Sequence, residues 1–230
     1  MIGFYDYTVW LTYLSLISAT VGIFVSQAGP GHPYIAAIFL LFSGLCDAFD
    51  GIVARTKRNR TEREKQYGIQ IDSLSDLVAF GVLPACVGAA LYKASGVLES
   101  VPETALVAEV PYAVYVVIFV VYVLAAMIRL AYFNVTAEES AASGKAVKMY
   151  RGLPVTSAAL IFPAFLLLRH LLGRDIGIFY YGVMLLTAGL FITPFNMRKP
   201  GLRGVLIMVG IGLLEFILIL VVKYYGARAF

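Results

Sequence analysis

Four aspartates, Asp47, Asp50, Asp72 and Asp76, stand in otherwise apolar sequence, divided by a short basic stretch. The chain reads Asp47-Ala-Phe-Asp50-Gly51-Ile-Val-Ala54-Arg55, then twelve residues, then Gly68-Ile-Gln-Ile-Asp72-Ser-Leu-Ser-Asp76. Residues three or four apart share a helix face. Asp47, Asp50, Gly51 and Ala54 therefore form one stripe, and Gly68, Asp72 and Asp76 a second. Two helices carrying these stripes can aim four carboxylates at one point. Four clustered carboxylates are hard oxygen ligands, suited to Mg2+ or Mn2+ rather than to zinc or copper. In hydrocarbon, four negative charges are prohibitive unless cations accompany them. Two such ions about 4 Å apart form the usual clamp for displacement at phosphorus. Gly51, Ala54 and Gly68 leave room beside the acids, and Arg55 is placed to meet a phosphate. A single aspartate in this setting could cap a helix or pair with the basic stretch. Four in matched registers, with small residues between them, argue against that reading.

The elements that position these acids are membrane spans. The chain of 230 residues is 60% hydrophobic and 14% charged, with a mean hydropathy of +0.85, against about 25% charged residues in ordinary soluble domains. Apolar runs near the roughly 20 residues needed to cross a bilayer as helix recur at 8–28, 34–54, 73–92, 112–133, 154–172, 177–195 and 203–225. The expectation is an all-α, polytopic membrane bundle of seven spans forming one domain over 1–230, with no internal repeat. The acids fall at the facing ends of the second and third spans, and residues 56–66 between them read as a charged linker with an interfacial helical turn. Twelve of the eighteen Lys and Arg lie in the linkers after spans two, four and six or at the helix ends beside them. Basic residues stay cytoplasmic, so the N-terminus and the aspartates are expected to face the cytoplasm of an integral cell-membrane protein. The first span is too long for a signal-peptide core and has no basic residues before it. The net charge of +4 suits anionic headgroups and requires no nucleic acid polymer. Cys46 and Cys86 read as buried apolar side chains.

Other polar residues fall at the same level as the acids. Arg129 and Asn134 end the fourth span, and Lys145, Lys148 and Arg151 follow in the loop before Pro154; this basic cluster suits a phosphate and equally suits a solvated cytoplasmic loop. Thr12, Ser15, Ser18 and Thr20 on the first span are read as close packing against a neighbour. Glu215 sits in the middle of the last span, where it costs several kcal/mol unless paired or protonated.

The pattern Asp-x2-Asp-Gly-x2-Ala-Arg, a spacer, then Gly-x3-Asp-x3-Asp resembles the signature of the CDP-alcohol phosphotransferases, with every fixed position present: Asp47, Asp50, Gly51, Ala54, Arg55, Gly68, Asp72 and Asp76. The resemblance implies a helical membrane core, usually of six spans and usually a homodimer, with the catalytic motif at 47–76 and an added helix within 196–230. It further implies two divalent ions, Mg2+ or Mn2+, held by Asp47, Asp50, Asp72 and Asp76. Asp76 would also be the general base, and Gly51, Ala54, Arg55 and Gly68 would line the cytidine diphosphate pocket.

A narrower resemblance rests on Tyr67-Gly68-Ile-Gln-Ile-Asp72-Ser-Leu-Ser-Asp76-Leu-Val-Ala-Phe-Gly-Val-Leu-Pro-Ala85, on Arg129-Leu-Ala-Tyr-Phe-Asn134 and on Tyr150-Arg-Gly-Leu-Pro154. These stretches look like the CDP-diacylglycerol:serine phosphatidyltransferases. That implies transfer of a phosphatidyl group from CDP-diacylglycerol to L-serine with release of CMP. Many members carry a second arginine where this chain has Tyr132, so its work would pass to Lys145, Lys148 or Arg151. Arg129 with these basic residues would hold the serine carboxylate, and Asn134 would add a polar contact. Another acceptor, glycerol 3-phosphate or an inositol phosphate, is the alternative within the class; it would call for more converging cations. A cation transporter would place its acids near the midplane, with broken, repeated helices, and neither feature is present. A lipid-binding or assembly protein that retained the metals is a third reading, against which the intact Asp76 argues.

Overall fold

In hydrocarbon every backbone N–H and C=O must be satisfied within the chain, so the apolar runs close into helices. The computed structural model describes residues 3–94, 106–142, 149–172, 177–198 and 201–226. Helix α1 (Trp10–Gln27) follows a 3-10 turn at Tyr7–Val9; α2 (Pro33–Ala54) returns antiparallel to it. Helix α3 (Glu62–Asp76) runs through a π-helical turn at Leu77–Val82 into α4 (Leu83–Ala94). Helices α5 (Leu106–Ala142), α6 (Ala158–Leu172), α7 (Gly177–Ile192) and α8 (Leu202–Gly226) complete the bundle. Among the described residues, five apolar helical stretches are long enough to cross a membrane: Tyr7–Gln27, Pro33–Ala54, Glu62–Ala94, Ala113–Glu139 and Leu202–Val222. Val155–His170 and Phe179–Ile192 are shorter, so the seven predicted spans correspond to five long helices and two short ones.

The third predicted span starts earlier than its hydropathy suggests. Thr61 accepts from the Glu64 N–H, and the Glu64 carboxylate accepts from the Thr61 N–H, a reciprocal cap of the kind that contributes about 1 kcal/mol. Helix therefore covers the last five residues of the stretch expected to be linker, Glu62 to Gln66, and three polar turns precede Asp72.

Small residues let the helices approach. Ala19, Ala36, Ala37 and Ala79 are fully buried, and α1 packs mainly along α2, as expected where close van der Waals contact replaces the hydrophobic effect. Ser15 and Ser43 each donate to the other's backbone carbonyl, and Ser18 donates to the Phe39 carbonyl. The packing expected of the α1 hydroxyls is thus realised at Ser15 and Ser18. Pro84 lacks the N–H that would bond the carbonyl four residues back. That carbonyl, of Phe80, accepts instead from the buried Tyr122 hydroxyl at 2.7 Å, while Tyr180 donates to the Pro84 carbonyl at 2.8 Å. Two tyrosines from α5 and α7 thereby repair the distortion just beyond Asp76. One small antiparallel pairing departs from an all-helical chain: β1 (Met149–Arg151) with β2 (Asn196–Arg198), Tyr150 opposite Met197. It ties the segment after α5 to the end of α7. Gly152 follows at φ +77°, and a Cβ there would lie 3.0 Å from the Phe191 carbonyl oxygen, so the turn needs glycine. Helix α8 packs on α2 and α6.

Candidate active site

The two helical stripes meet. Asp47 and Asp50 lie in the last two turns of α2 and Asp72 near the end of α3; one carboxylate oxygen from each of these three lies within 4.8 Å of the others. Asp76, one turn further along α3, stands outside that triangle, is buried and interacts electrostatically with all three other aspartates. Asp50, also buried, accepts a hydrogen bond from the Thr12 hydroxyl at 3.1 Å. Ser75, between the two α3 acids, donates to the Thr12 carbonyl at 3.2 Å. Thr12 therefore binds α1 to both acidic helices and orients one of the carboxylates, a role its sequence position alone did not distinguish from packing.

This donor set fits a divalent cation. It offers only carboxylate oxygens, drawn from two rigid helices, at a spacing that one ion can bridge, and like charges so close in an apolar bundle need a cation beside them.

A cavity of about 200 Å3 opens beside the acids, lined by Asp50, Gly51, Ala54, Arg55, Gly68 and Asp72 together with Thr8, Val9, Thr12, Arg60, Lys65 and Ile69. All four residues expected around the nucleotide line it. Three polar walls were not foreseen: Thr8, Arg60 and Lys65. The Arg55 guanidinium lies over Gly51, where a Cβ would come within 3.4 Å of Nη1. Arg60 lies over Gly68 still more closely, with a Cβ there 2.6 Å from Nη2.

Thr8 and Val9, at the end of the N-terminal segment, form the remaining wall. Lys57 Nζ contacts Asp6 at 2.6 Å and Glu64 at 2.7 Å, joining the N-terminal segment to the loop between α2 and α3. The Lys57 ammonium, donating to Asp6, is the main cause that pulls the Asp6 carboxyl down from its ordinary 3.8 to about 2. Asp6 in turn holds Thr8 through both its backbone N–H and its hydroxyl. Phe4 packs edge-on to Tyr67, and the Tyr13 and Tyr67 hydroxyls lie 3.1 Å apart.

The residues expected at the acceptor behave differently. Arg129 is buried, donates from Nε to the Leu153 carbonyl at 3.2 Å and lies over the Phe133 ring. Asn134 donates to the Ser73 hydroxyl at 2.8 Å, tying α5 to α3 between Asp72 and Asp76. Arg151 is exposed, and its Nη1 donates to the Tyr132 hydroxyl at 3.4 Å. Lys145 and Lys148 lie outside the described residues. None of the described members of this group lines the cavity.

Comparison with known proteins agrees with this geometry. The chain is 34% identical over 138 residues to a CDP-diacylglycerol--serine O-phosphatidyltransferase of Saccharomyces cerevisiae, a match spanning 58% of this chain but only 42% of the yeast protein. It is 26% identical over 198 residues to the enzyme of the same name from Helicobacter pylori, covering 84% of this chain and 71% of that protein. The family model described as CDP-alcohol phosphatidyltransferase matches residues 8–195, which take in the acids, the cavity and α1 to α7. The chain is an integral membrane protein that belongs to the CDP-alcohol phosphatidyltransferase family.

Proposed function

We propose that this protein transfers the phosphatidyl group of CDP-diacylglycerol to the hydroxyl of L-serine, releasing CMP and forming phosphatidylserine. The observation that carries this reading is the convergence of Asp47, Asp50 and Asp72 beside a cavity lined by Gly51, Ala54, Arg55 and Gly68. The names of both curated relatives support serine as the acceptor. Asp47, Asp50, Asp72 and Asp76 would hold two divalent ions, Mg2+ or Mn2+, which supply charge neutralisation and electrophilic activation at the pyrophosphate.

The chain's own residues do the rest. Gly51, Ala54 and Gly68 leave space for the cytidine diphosphate, and Arg55 meets one of its phosphates. Asp76 takes the proton of the serine hydroxyl as the serine oxygen bonds to the lipid-linked phosphorus and the bond from that phosphorus to the CMP oxygen breaks. Arg151, beside Tyr132, holds the serine carboxylate, with Lys145 and Lys148 in the same loop. Arg129 and Asn134 position this side of the site through Leu153 and Ser73. The cavity faces the cytoplasm, as does the N-terminus; the distribution of twelve basic residues beside one set of loops supports that orientation.

The test is CMP release by purified protein given CDP-diacylglycerol and Mn2+ or Mg2+, with serine, glycerol 3-phosphate, an inositol phosphate or no alcohol. Release that depends on serine and is abolished by chelator is the expected result. Stimulation only by another alcohol would replace the acceptor and keep the chemistry, while no release under any condition would overturn both.

A further inference from the structure

The basic loop between α2 and α3 contains more cations than its carboxylates neutralise, and they are not equivalent. Lys57 is taken by Asp6 and Glu64, and Lys65 pairs with Glu62 at 2.7 Å. Arg58 and Arg63 are exposed and do not line the cavity. Arg60 is half-buried, lines the cavity and has no ion-pair partner among the described residues. Its Nη2 donates to the Glu64 carbonyl at 3.1 Å, yet its Nε is buried with no hydrogen-bond partner. A buried donor without a partner is costly, more so on a charged group. The guanidinium is also held in place: it lies over Gly68, and the loop beneath it is pinned by the Thr61–Glu64 cap and the Asp6–Lys57–Glu64 bridge. An immobilised guanidinium without a carboxylate partner, lining a cavity that also exposes two metal-type carboxylates, is suited to an anionic oxygen.

We propose that Arg60 is a second guanidinium contact for the phosphates of the nucleotide donor, and that Gly68, besides leaving room for the nucleotide, seats Arg60. The proposal rests on the donor being a cytidine diphosphate lipid. On this assignment the diphosphate lies between Arg55, at the end of α2, and Arg60, ahead of α3. The N-terminal segment contributes indirectly, because Asp6 fixes Lys57 and with it the loop that carries Arg60.

Binding of CDP, CMP and cytidine to the full-length protein in detergent with Mn2+, measured by calorimetry, tests this without turnover. Arg60→Ala is expected to weaken CDP binding about 10- to 100-fold, as loss of a charge-assisted hydrogen bond would, and to leave cytidine binding and thermal stability unchanged. Arg60→Lys, which keeps the charge and loses the fork, is expected to fall between. Gly68→Ala is expected to weaken CDP binding more in the wild-type background than in the Arg60→Ala background. Wild-type CDP affinity in Arg60→Ala, or equal loss for CDP and cytidine, would overturn the Arg60 assignment while leaving the transferase reading intact. Equal Gly68→Ala losses in both backgrounds would overturn the seating role. Failure of the wild-type protein to bind CDP at all would overturn this proposal and the donor assignment together.

Discussion

The two sides of the site are built on opposite plans. On the side of α2 and α3, side chains converge on an open cavity: three carboxylates within 4.8 Å, Arg55 and Arg60 each lying over a glycine, and one guanidinium N–H left without a partner. On the side of α5, of the polar groups assigned to the acceptor from the sequence, Arg129 is tied to the Leu153 carbonyl and Asn134 to Ser73, and among the described ones only Arg151 is exposed. A guanidinium at the right depth is thus not by itself a binding group. Each of Arg60 and Arg129 gives one donor to a backbone carbonyl, and what separates them is that Arg60 lines the cavity while Arg129 does not.

The comparison is broken most severely by touching the acids. Asp72→Asn should lower CMP release by about 10^3-fold or more, since electrostatic clamps of this kind supply several kcal/mol, and should weaken Mn2+ binding in parallel. Thr12→Val removes the hydroxyl that orients Asp50 and should cost roughly 10- to 100-fold in metal affinity, as loss of a supporting hydrogen bond to a ligand does, with the fold retained. The α5 side is sharpened by contrasting its two arginines. Arg129→Ala leaves the Leu153 carbonyl orphaned and should destabilise the protein by about 1–3 kcal/mol, visible as a lower Tm. Arg151→Ala should leave Tm unchanged and raise KM for serine about tenfold, the worth of one charge-assisted bond. The opposite pattern would exchange their roles.

The smallest effect concerns the N-terminal wall. Because Lys57 holds the Asp6 carboxyl near 2 against an ordinary 3.8, the stabilisation from this contact is fully present above about pH 3.8 and is lost as pH falls through about 2. Neutral-range changes in pH should therefore leave the segment in place. Trp10 is the chain's only tryptophan, and its Nε1 donates to the Tyr5 carbonyl. Its fluorescence should hold constant from pH 8 to about 4 and change below that.

Much of the catalytic half was legible in the sequence because helical periodicity carries it. Spacings of three and four placed Asp47, Asp50, Gly51 and Ala54 on one face and Gly68, Asp72 and Asp76 on another, and the structure brings the cavity-lining residues and the acid triangle together. Arg60 was hidden because a run of charges resembles a solvated loop. A usable signal was present in Thr61-x-x-Glu64, the capping box that starts α3; read as a helix start, it shortens the loop and places Arg60 at the mouth of the acidic cleft. What α5 does could not be read in this way. Arg129 meets Leu153 through a long-range approach fixed by the turn at Gly152 and the β1–β2 pairing, and three-residue strands are too short to show alternation. Pro84 announced a missing backbone bond, but that Tyr122 supplies the replacement depends on how α5 packs.

The central claim is that Asp76, besides holding a divalent ion with the other three aspartates, takes the proton of the acceptor. CDP affinity and serine-dependent CMP release measured side by side on Asp76→Asn test it most directly. The account predicts that release is abolished while CDP still binds within about tenfold of the wild-type affinity; wild-type-like release from that variant would contradict it.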